Sequence, residues 1–361
     1  MERRSFIKKA AVGAAAGAIA APALAQTQPT FNWRMASSFP KSLETLFGTA
    51  EFFSKRLSQL TNGKFNIRPF AGGEIVPPFE VMNAVQNGTV EMAHTVSQYF
   101  AGKDATFSFD SGLPFGLNSR QQTAWVEHGG GKELLREFFK EYGIVNFLGG
   151  NTGTQMGGFF RKEMKTVKDL QGLKFRIGGL AGRAFVKLGA VPQQIPAGDV
   201  YSALEKGTID AAEFVGPADD EKLGFSRVAP FYYAPGWWDA GPQVSFYVGI
   251  KEWEKLPPDY KAAFESASRE AHLLMQAQYD ARNPAALARI LKSGGKLRMF
   301  SKEIMDACYK ASEEVLQEEA GKNAKFKAML DPWLRFRRDQ NQWFSVAEAP
   351  MQNYMASRSN K

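Results

Sequence analysis

Three groups of residues in this chain could do chemistry. Lys174-Phe175-Arg176-Ile177 alternates like a short strand, which sends Arg176 to one side just before Gly178-Gly179 lets another group come close. A planar guanidinium at a strand end is a natural partner for a carboxylate, because its fork matches both oxygens; a solvated surface charge is the alternative. The second group consists of oxygen donors. Asn151-Thr152-Gly153-Thr154-Gln155 is a polar, glycine-bearing turn, Glu213 follows a short apolar stretch, and Asp239 and Gln243 flank Gly236-Trp237-Trp238. Carboxylate and amide oxygens suit hard cations such as Na⁺ or Ca²⁺ and suit zinc poorly, although scattered carboxylates are often simply hydrated. Phe231-Tyr232-Tyr233 and Trp237-Trp238 form the third group, dense enough for a pocket wall or a core cluster.

Catalytic patterns are mostly missing. There is no Gly-x-Ser-x-Gly elbow, no Cys-x-x-Cys, no His-Glu-x-x-His and no phosphate loop, and Gly178-Gly179-Leu180-Ala181-Gly182 reads as a strand-to-helix turn. Cys308 has no second cysteine to pair with, and three histidines make a His-rich zinc site a poor fit. The chain reads as one that carries a ligand rather than one that transforms it. An exported enzyme acting on small acids is the alternative.

The elements that must position these groups show an internal echo. Val81 through Ala93 aligns without gaps on Val200 through Ala212, with Ala84/Ala203, Gly88/Gly207 and Thr89/Thr208 among the identities. Each copy reads as a helix, a glycine suited to the left-handed position after it, and a short strand beginning Thr-Val or Thr-Ile. Two related α/β lobes follow, with His94-Thr95 and Glu213-Phe214 at strand ends facing a shared cleft. Further strands are expected at Phe31–Ala36, Phe65–Phe70, Ile144–Leu148, Phe159–Arg161, Lys174–Ile177 and Val244–Ile250. Helices are expected at Leu43–Thr61, Gln121–Tyr142, Leu180–Leu188 and Asp259–Leu291. The last begins after Pro257-Pro258, is about 50 Å long at 1.5 Å per residue, and carries a kink signal at Asn283-Pro284. In the tail, Trp333, Phe336, Gln340, Trp343, Phe344 and Ala347 share one helical face, which packs either on its own core or on a second subunit.

Length and charge set the frame. The 361 residues suit two lobes, and an apolar fraction of 44% is ample for a core. Glu2-Arg3-Arg4-Ser5-Phe6-Ile7-Lys8, an Ala-rich stretch and Ala23-Leu24-Ala25 read as a twin-arginine export signal over residues 1–25, cleaved before Gln26. Its apolar part is shorter than the ~20 residues that span a bilayer. Removing Arg3, Arg4, Lys8, Lys9 and Glu2 lowers the formal charge from +8 to +5, a mild bias too dispersed for nucleic acid.

Two motifs carry a family resemblance. Asp169-Leu-Gln-Gly-Leu-Lys-Phe-Arg176-Ile177 and Tyr201-Ser-Ala-Leu-Glu-Lys-Gly207-Thr-Ile-Asp210 resemble the signature of the extracytoplasmic solute receptors of tripartite ATP-independent periplasmic (TRAP) transporters. Asn151 to Gly158, Glu213 to Pro217 and Pro235 to Trp238 look like the branch that binds 2-oxo acids or lactate. The resemblance implies a two-lobed periplasmic binding protein with a hinge, a long spanning helix and a carboxylate ligand delivered to membrane subunits. Lobe I is then 26–150 with 241–282 returning to it, and lobe II is 151–240 with 283–330. The remaining 331–361 form a C-terminal helix and tail through which such receptors form homodimers. The resemblance further implies that Arg176 pairs with the ligand carboxylate, and that Gln155, Glu213 and the Phe214 carbonyl hold a Na⁺ or Ca²⁺ that also touches the ligand. Tyr99 is similar to a cleft-lining aromatic, Asp239 is a further ligand contact, and Gln243 is a further candidate for the metal. Phe214 stands where the branch often has Trp, and Asp239 where it often has Glu.

Overall fold

A computed structural model describes residues 28–359, of which those from Phe31 onward belong to one compact unit. The export stretch, 1–25, lies outside the described residues. Eleven strands among the described residues form two sheets: β1 (Phe31–Ser37), β2 (Phe65–Phe70), β3 (Met92–Thr95), β4 (Ile144–Asn151), β5 (Gly158–Phe160), β6 (Lys174–Arg176), β7 (Val191–Gln193), β8 (Ala211–Ala212), β9 (Phe231–Ala234), β10 (Gln243–Gly249) and β11 (Lys296–Met299). The first sheet has the order β2-β1-β3-β10-β4, and the second the order β7-β6-β8-β5-β9-β11.

The two orders match over their first five positions, and β11 adds a sixth strand to the second sheet, parallel to β9. In each sheet the first three strands are parallel, and the fourth runs antiparallel to both neighbours. The echoed segments supply the third strand each time, β3 in one sheet and β8 in the other. Gly88 and Gly207 both take positive φ, +76° and +70°, as the echo requires. The strands begin at Met92 and Ala211, later than the Thr-Val and Thr-Ile expected, because those residues close the turn first. Thr89 donates its N–H and hydroxyl to Asn87 Oδ1, and Thr208 N–H reaches back to the Ala203 carbonyl.

The antiparallel fourth strands explain how the halves interlock. The chain leaves the first sheet after β4 and enters the second at β5; it returns from β9 to β10. These two crossings lie side by side, with Gln155 N–H on the Asp239 carbonyl and Gly236 N–H on the Gln155 carbonyl, both at 3.0 Å. Gly158, at φ +84°, opens β5, and a Cβ there would sit 2.4 Å from the Ala212 carbonyl oxygen, so only glycine admits this approach.

Thirteen helices among the described residues cover the sheets: α1 (Leu46–Leu60), α2 (Val81–Gln86), α3 (Ser108–Ser111), α4 (Ser119–His128), α5 (Gly131–Lys140), α6 (Gly179–Lys187), α7 (Ala197–Glu205), α8 (Pro217–Leu223), α9 (Ile250–Glu254), α10 (Pro258–Lys292), α11 (Lys302–Lys322), α12 (Ala324–Ala347) and α13 (Ala349–Ser359). The single helix expected over Gln121–Tyr142 is two, because Gly130 adopts φ +82° and backbone at Gly131 lies against the Trp125 ring. The long helix, α10, starts at Pro258, one residue before the expected Asp259, and packs on α1, β4 and α8, so it touches elements on both sheets. It continues through Pro284; the adjacent Asn283 side chain accepts the Ala218 N–H at the start of α8, at 3.0 Å.

The aromatic face expected in the tail divides. Trp333 is 1% exposed and meets Phe109 in the chain's own core, and Phe336 packs over Gly129, whereas Trp343 is 59% exposed. Phe231-Tyr232-Tyr233 and Trp237-Trp238 resolve as core. Tyr232 stacks on Phe159 at 4.0 Å, Tyr233 on Phe300 at 4.7 Å, and Trp237 on Phe115 at 4.9 Å.

Candidate ligand and cation site

Between the sheets lies a cleft walled by Phe39, Leu46, Val96, Gln98 and Tyr99 from the first sheet's side and by Arg176, Gly178, Gln194, Glu213, Phe214 and Val215 from the second. Thr152, Gln155 and Pro242 on the crossings form its back. Arg176 ends β6 and Glu213 follows β8, its parallel neighbour, so both side chains emerge together at the carboxyl end of the sheet, where open α/β sheets bind ligands. Arg176 Nη1 donates to the Glu213 carboxylate and, at 2.8 Å, to the Glu213 main-chain carbonyl, while Nε donates to the Ile195 carbonyl at 3.1 Å. Its guanidinium also lies 5.4 Å from the Phe214 ring centre.

Both charges are almost fully withdrawn from water, at 4% exposure each. Burial pushes the Glu213 carboxyl up to about 8; Arg176 opposes this, and the nearby Asp239 and Asp220 reinforce it. Burial likewise raises the Tyr99 hydroxyl, with Arg176 pulling the other way. Asp239 is pushed up to about 6, again by burial, against Gln98 and Arg176. Burial leads at both carboxyls, so an oxygen in this pocket that lacks a protein donor has little water to turn to.

Two buried side-chain oxygens here are in that position. Gln155 Nε2 donates to Thr152 Oγ1 at 3.2 Å, while Gln155 Oε1 is buried without a donor among the described residues, as is Asp239 Oδ1. Among the described residues no hydrogen bond reaches the Phe214 carbonyl oxygen, although the carbonyls on either side of it are used, Glu213 by Arg176 and Val215 by Met156 N–H at 3.0 Å. No three His, Cys, Asp or Glu side chains converge among the described residues. A hard cation here would have to draw on amide and main-chain oxygens together with Glu213, and that is the donor set present.

Not every residue singled out from the sequence reaches the cleft. Arg176, Gln155, Glu213, Phe214 and Tyr99 line it. Asp239 stands just behind the wall, with Oδ2 accepting from Gln98 Nε2 at 3.4 Å. Gln243 points elsewhere: Nε2 donates to Asp110 Oδ1 at 3.0 Å and to Ser245 Oγ at 3.3 Å, and the side chain borders a separate small cavity with Asn146 and Arg136. His94 is also turned from the cleft, its Nε2 on the Gly149 carbonyl at 3.2 Å, and Thr95 is bound to Ser38. Sequence reasoning missed Phe39, Leu46, Val96, Gln98, Gln194 and Pro242. Phe39, Val96 and Gln194 follow β1, β3 and β7, so the carboxyl ends of the parallel strands were the signal that could have found them.

Two hydrogen bonds tie the cleft's sides together: Gln194 Nε2 to the Tyr99 carbonyl at 3.2 Å and Gln98 Nε2 to Asp239.

The family described as bacterial extracellular solute-binding protein, family 7, matches residues 36–323. A monocarboxylate 2-oxoacid-binding periplasmic protein of Nostoc sp. is 45% identical over 99% of this chain and 100% of its own. A TRAP transporter solute binding protein from Bordetella bronchiseptica has 53% identity and a TM-score of 0.91, covering 92% of this chain and 99% of its own. That protein is a mixed-occupancy dimer with copurified calcium and picolinate in one active site and the other site apo. A TRAP periplasmic solute binding protein from Pseudoalteromonas atlantica, with bound sodium and pyruvate, has 34% identity and a TM-score of 0.87, covering 91% of this chain and 99% of its own. The cleft between two matching sheets is therefore that of a periplasmic receptor, and the chain belongs to the family 7 extracellular solute-binding proteins that serve TRAP transporters.

Proposed function

We propose that this receptor captures a small 2-oxo or 2-hydroxy monocarboxylate together with a Na⁺ or Ca²⁺ ion and presents it to the membrane subunits of a TRAP transporter. The observation that carries the reading is the buried Arg176 beside an unsatisfied Gln155 Oε1 and a free Phe214 carbonyl. Arg176 offers the ligand carboxylate a guanidinium already held by Glu213 and Ile195, so little freedom is lost on binding. Gln155, Glu213 and the Phe214 carbonyl would hold the cation, which neutralises charge and chelates ligand oxygens. Tyr99 closes the pocket from the first sheet, and Phe39, Leu46 and Val96 give it an apolar side suited to the short hydrocarbon part of such an acid.

In this reading the two sheets are the cores of lobes that close on the ligand. Lobe I is 26–150 with 241–282, and lobe II is 151–240 with 283–330; the crossings at 151–158 and 234–243 act as the hinge. The bonds from Gln194 to Tyr99 and from Gln98 to Asp239 stabilise the closed form. Closure favours whichever ligand binds it better than the open form, and the ligand leaves chemically unchanged. The exposed end of the C-terminal helices pairs two copies of the chain.

Calorimetric titration with pyruvate, 2-oxobutyrate and lactate, with calcium and sodium controlled, tests the reading. Saturable binding that weakens on cation removal, with ligand recovered intact, is the expected result. Absence of binding to all three acids in the presence of both cations, or turnover of any of them, would sink it.

A further inference from the structure

The amide that joins Phe214 to Val215 is gripped from behind. Val215 donates its N–H to Asp220 Oδ1 at 3.4 Å, and Asp220 Oδ2 accepts the Tyr232 hydroxyl at 2.6 Å. Asp220 and Tyr232 are both essentially buried, and Tyr232 is fixed in turn by its flat contact with Phe159. A trans peptide is planar, so its N–H and C=O point in opposite directions. Holding the Val215 N–H on Asp220 therefore turns the Phe214 carbonyl away from Asp220. Phe214 and Val215 are in the wall of the cleft and Asp220 is not.

We propose that Asp220 is a positioning residue that aims the Phe214 carbonyl at the bound cation, through the chain Tyr232–Asp220–Val215 N–H. The inference rests on the cation-assisted reading given above. Three features support it. The Phe214 carbonyl is the one of three successive carbonyls, at 213, 214 and 215, that no donor among the described residues engages. A hydrogen bond to the amide N–H also polarises the amide and strengthens its oxygen as a ligand. Finally, the neighbouring Asp219 is held separately by the Tyr279 hydroxyl on α10, so α8 has an anchor independent of Asp220. Asp220 is thus free to serve the amide rather than the helix.

The test uses the full receptor with Ca²⁺ titrated at saturating pyruvate. Asp220→Ala is expected to weaken Ca²⁺ roughly tenfold to a hundredfold, the range for lost support of a metal ligand. Asp220→Asn, which keeps an oxygen of the same reach, is expected to stay within about threefold of the parent. Tyr279→Phe loosens α8 without touching the amide and is expected to leave Ca²⁺ affinity unchanged. Labelling with carbonyl-¹³C phenylalanine and ¹⁵N valine marks two peptides, 185–186 and 214–215. Calcium should shift the Phe214 carbonyl resonance in the parent and in Asp220→Asn, a readout that serves even if Asp220→Ala fails to fold. Equal weakening by Asp220→Ala and Tyr279→Phe, or a Phe214 resonance indifferent to calcium, overturns the positioning role. If Glu213→Gln abolishes Ca²⁺ binding while Asp220→Ala leaves it intact, the role falls and the cation-assisted reading stands. If the parent itself binds no cation, both fall.

Discussion

Arg176 and Glu213 are bound twice over: the guanidinium of one meets both the carboxylate and the main-chain carbonyl of the other, at the ends of adjacent parallel strands. Removing Arg176 strips the buried Glu213 carboxyl and the main-chain carbonyls of Glu213 and Ile195 of their donor, and a buried acceptor left unsatisfied costs about 1–3 kcal/mol. Arg176→Ala is therefore expected to lose pyruvate binding by at least two orders of magnitude and to lower stability as well. Arg176→Lys should recover little, because a single ammonium cannot reproduce the separate bonds from Nε and Nη1. Calorimetry and thermal melting check both; near-parent affinity in Arg176→Lys would show that the fork is not what the ligand reads.

Gln155 makes a finer distinction. Its Nε2 is committed to Thr152 and its Oε1 has no donor, so the carbonyl end is the one available to a cation. Gln155→Leu removes an unsatisfied buried oxygen, which is neutral or favourable for folding, and should leave the melting temperature unchanged or higher. The same variant should lose at least tenfold in calcium affinity when calcium is titrated at saturating pyruvate. Unchanged calcium affinity would place the ion on other oxygens.

Much of this site was legible in the sequence because it is built from short local signals. Arg176 sits at the end of an alternating segment before two glycines, and the echo at 81–93 and 200–212 marks the third strand of each sheet. What could not be read was orientation at the crossings. Asp239 and Gln243 lie in one crossing, at the same level of sequence signal as Gln155. The bulge in the β10–β4 register between Val244 and Ser245, together with the buried Asp110, decides that Gln243 faces away. Gln98 and Gln194 carry no composition signal at all; long-range pairing brings them to the cleft. The tail divides for a related reason, since one helical face can meet two different environments along its length.

Stability should respond to acid through His272. Burial lowers its imidazole to about 4, against opposing contributions from the Gly150 backbone and the charge of Glu127, while Thr123 Oγ1 lies 3.0 Å from Nε2. A histidine depressed in the folded state contributes stability that is complete above the unfolded value of about 6.5 and is lost as pH falls toward 4. Asp219 and Asp220, raised by burial to about 6 and 7, act oppositely: their contribution is complete in acid and is lost as pH rises through those values. The whole-protein profile mixes these slopes, so the informative comparison is His272→Gln with the parent. Urea unfolding at pH 7 and pH 4.5 should show a smaller acid loss in the variant, by up to about 3 kcal/mol. An identical acid loss in both proteins would mean His272 titrates normally.

The C-terminal helices give the last prediction, and the burial pattern dictates where to cut. Met329, Leu330 and Trp333 are 4%, 1% and 1% exposed and belong to the chain's own core, so a chain ending at Ala328 would lose several buried side chains. Losing Trp333 alone is expected to cost about 3–5 kcal/mol, which would confuse unfolding with dissociation. Beyond it the character changes: Trp343, Val346, Met351 and Tyr354 are 59%, 74%, 63% and 61% exposed, an apolar run that a solitary receptor has no reason to hold in water. A chain ending at Ser345 keeps Trp333 and removes Val346 and all of α13. If that surface joins two copies, light scattering should give the dimer mass for the full chain and the monomer mass for the shortened one. Binding of pyruvate should survive, because no cleft residue is touched. A dimer that persists in the shortened chain would move the interface to another face, and a full chain that is already monomeric would remove it.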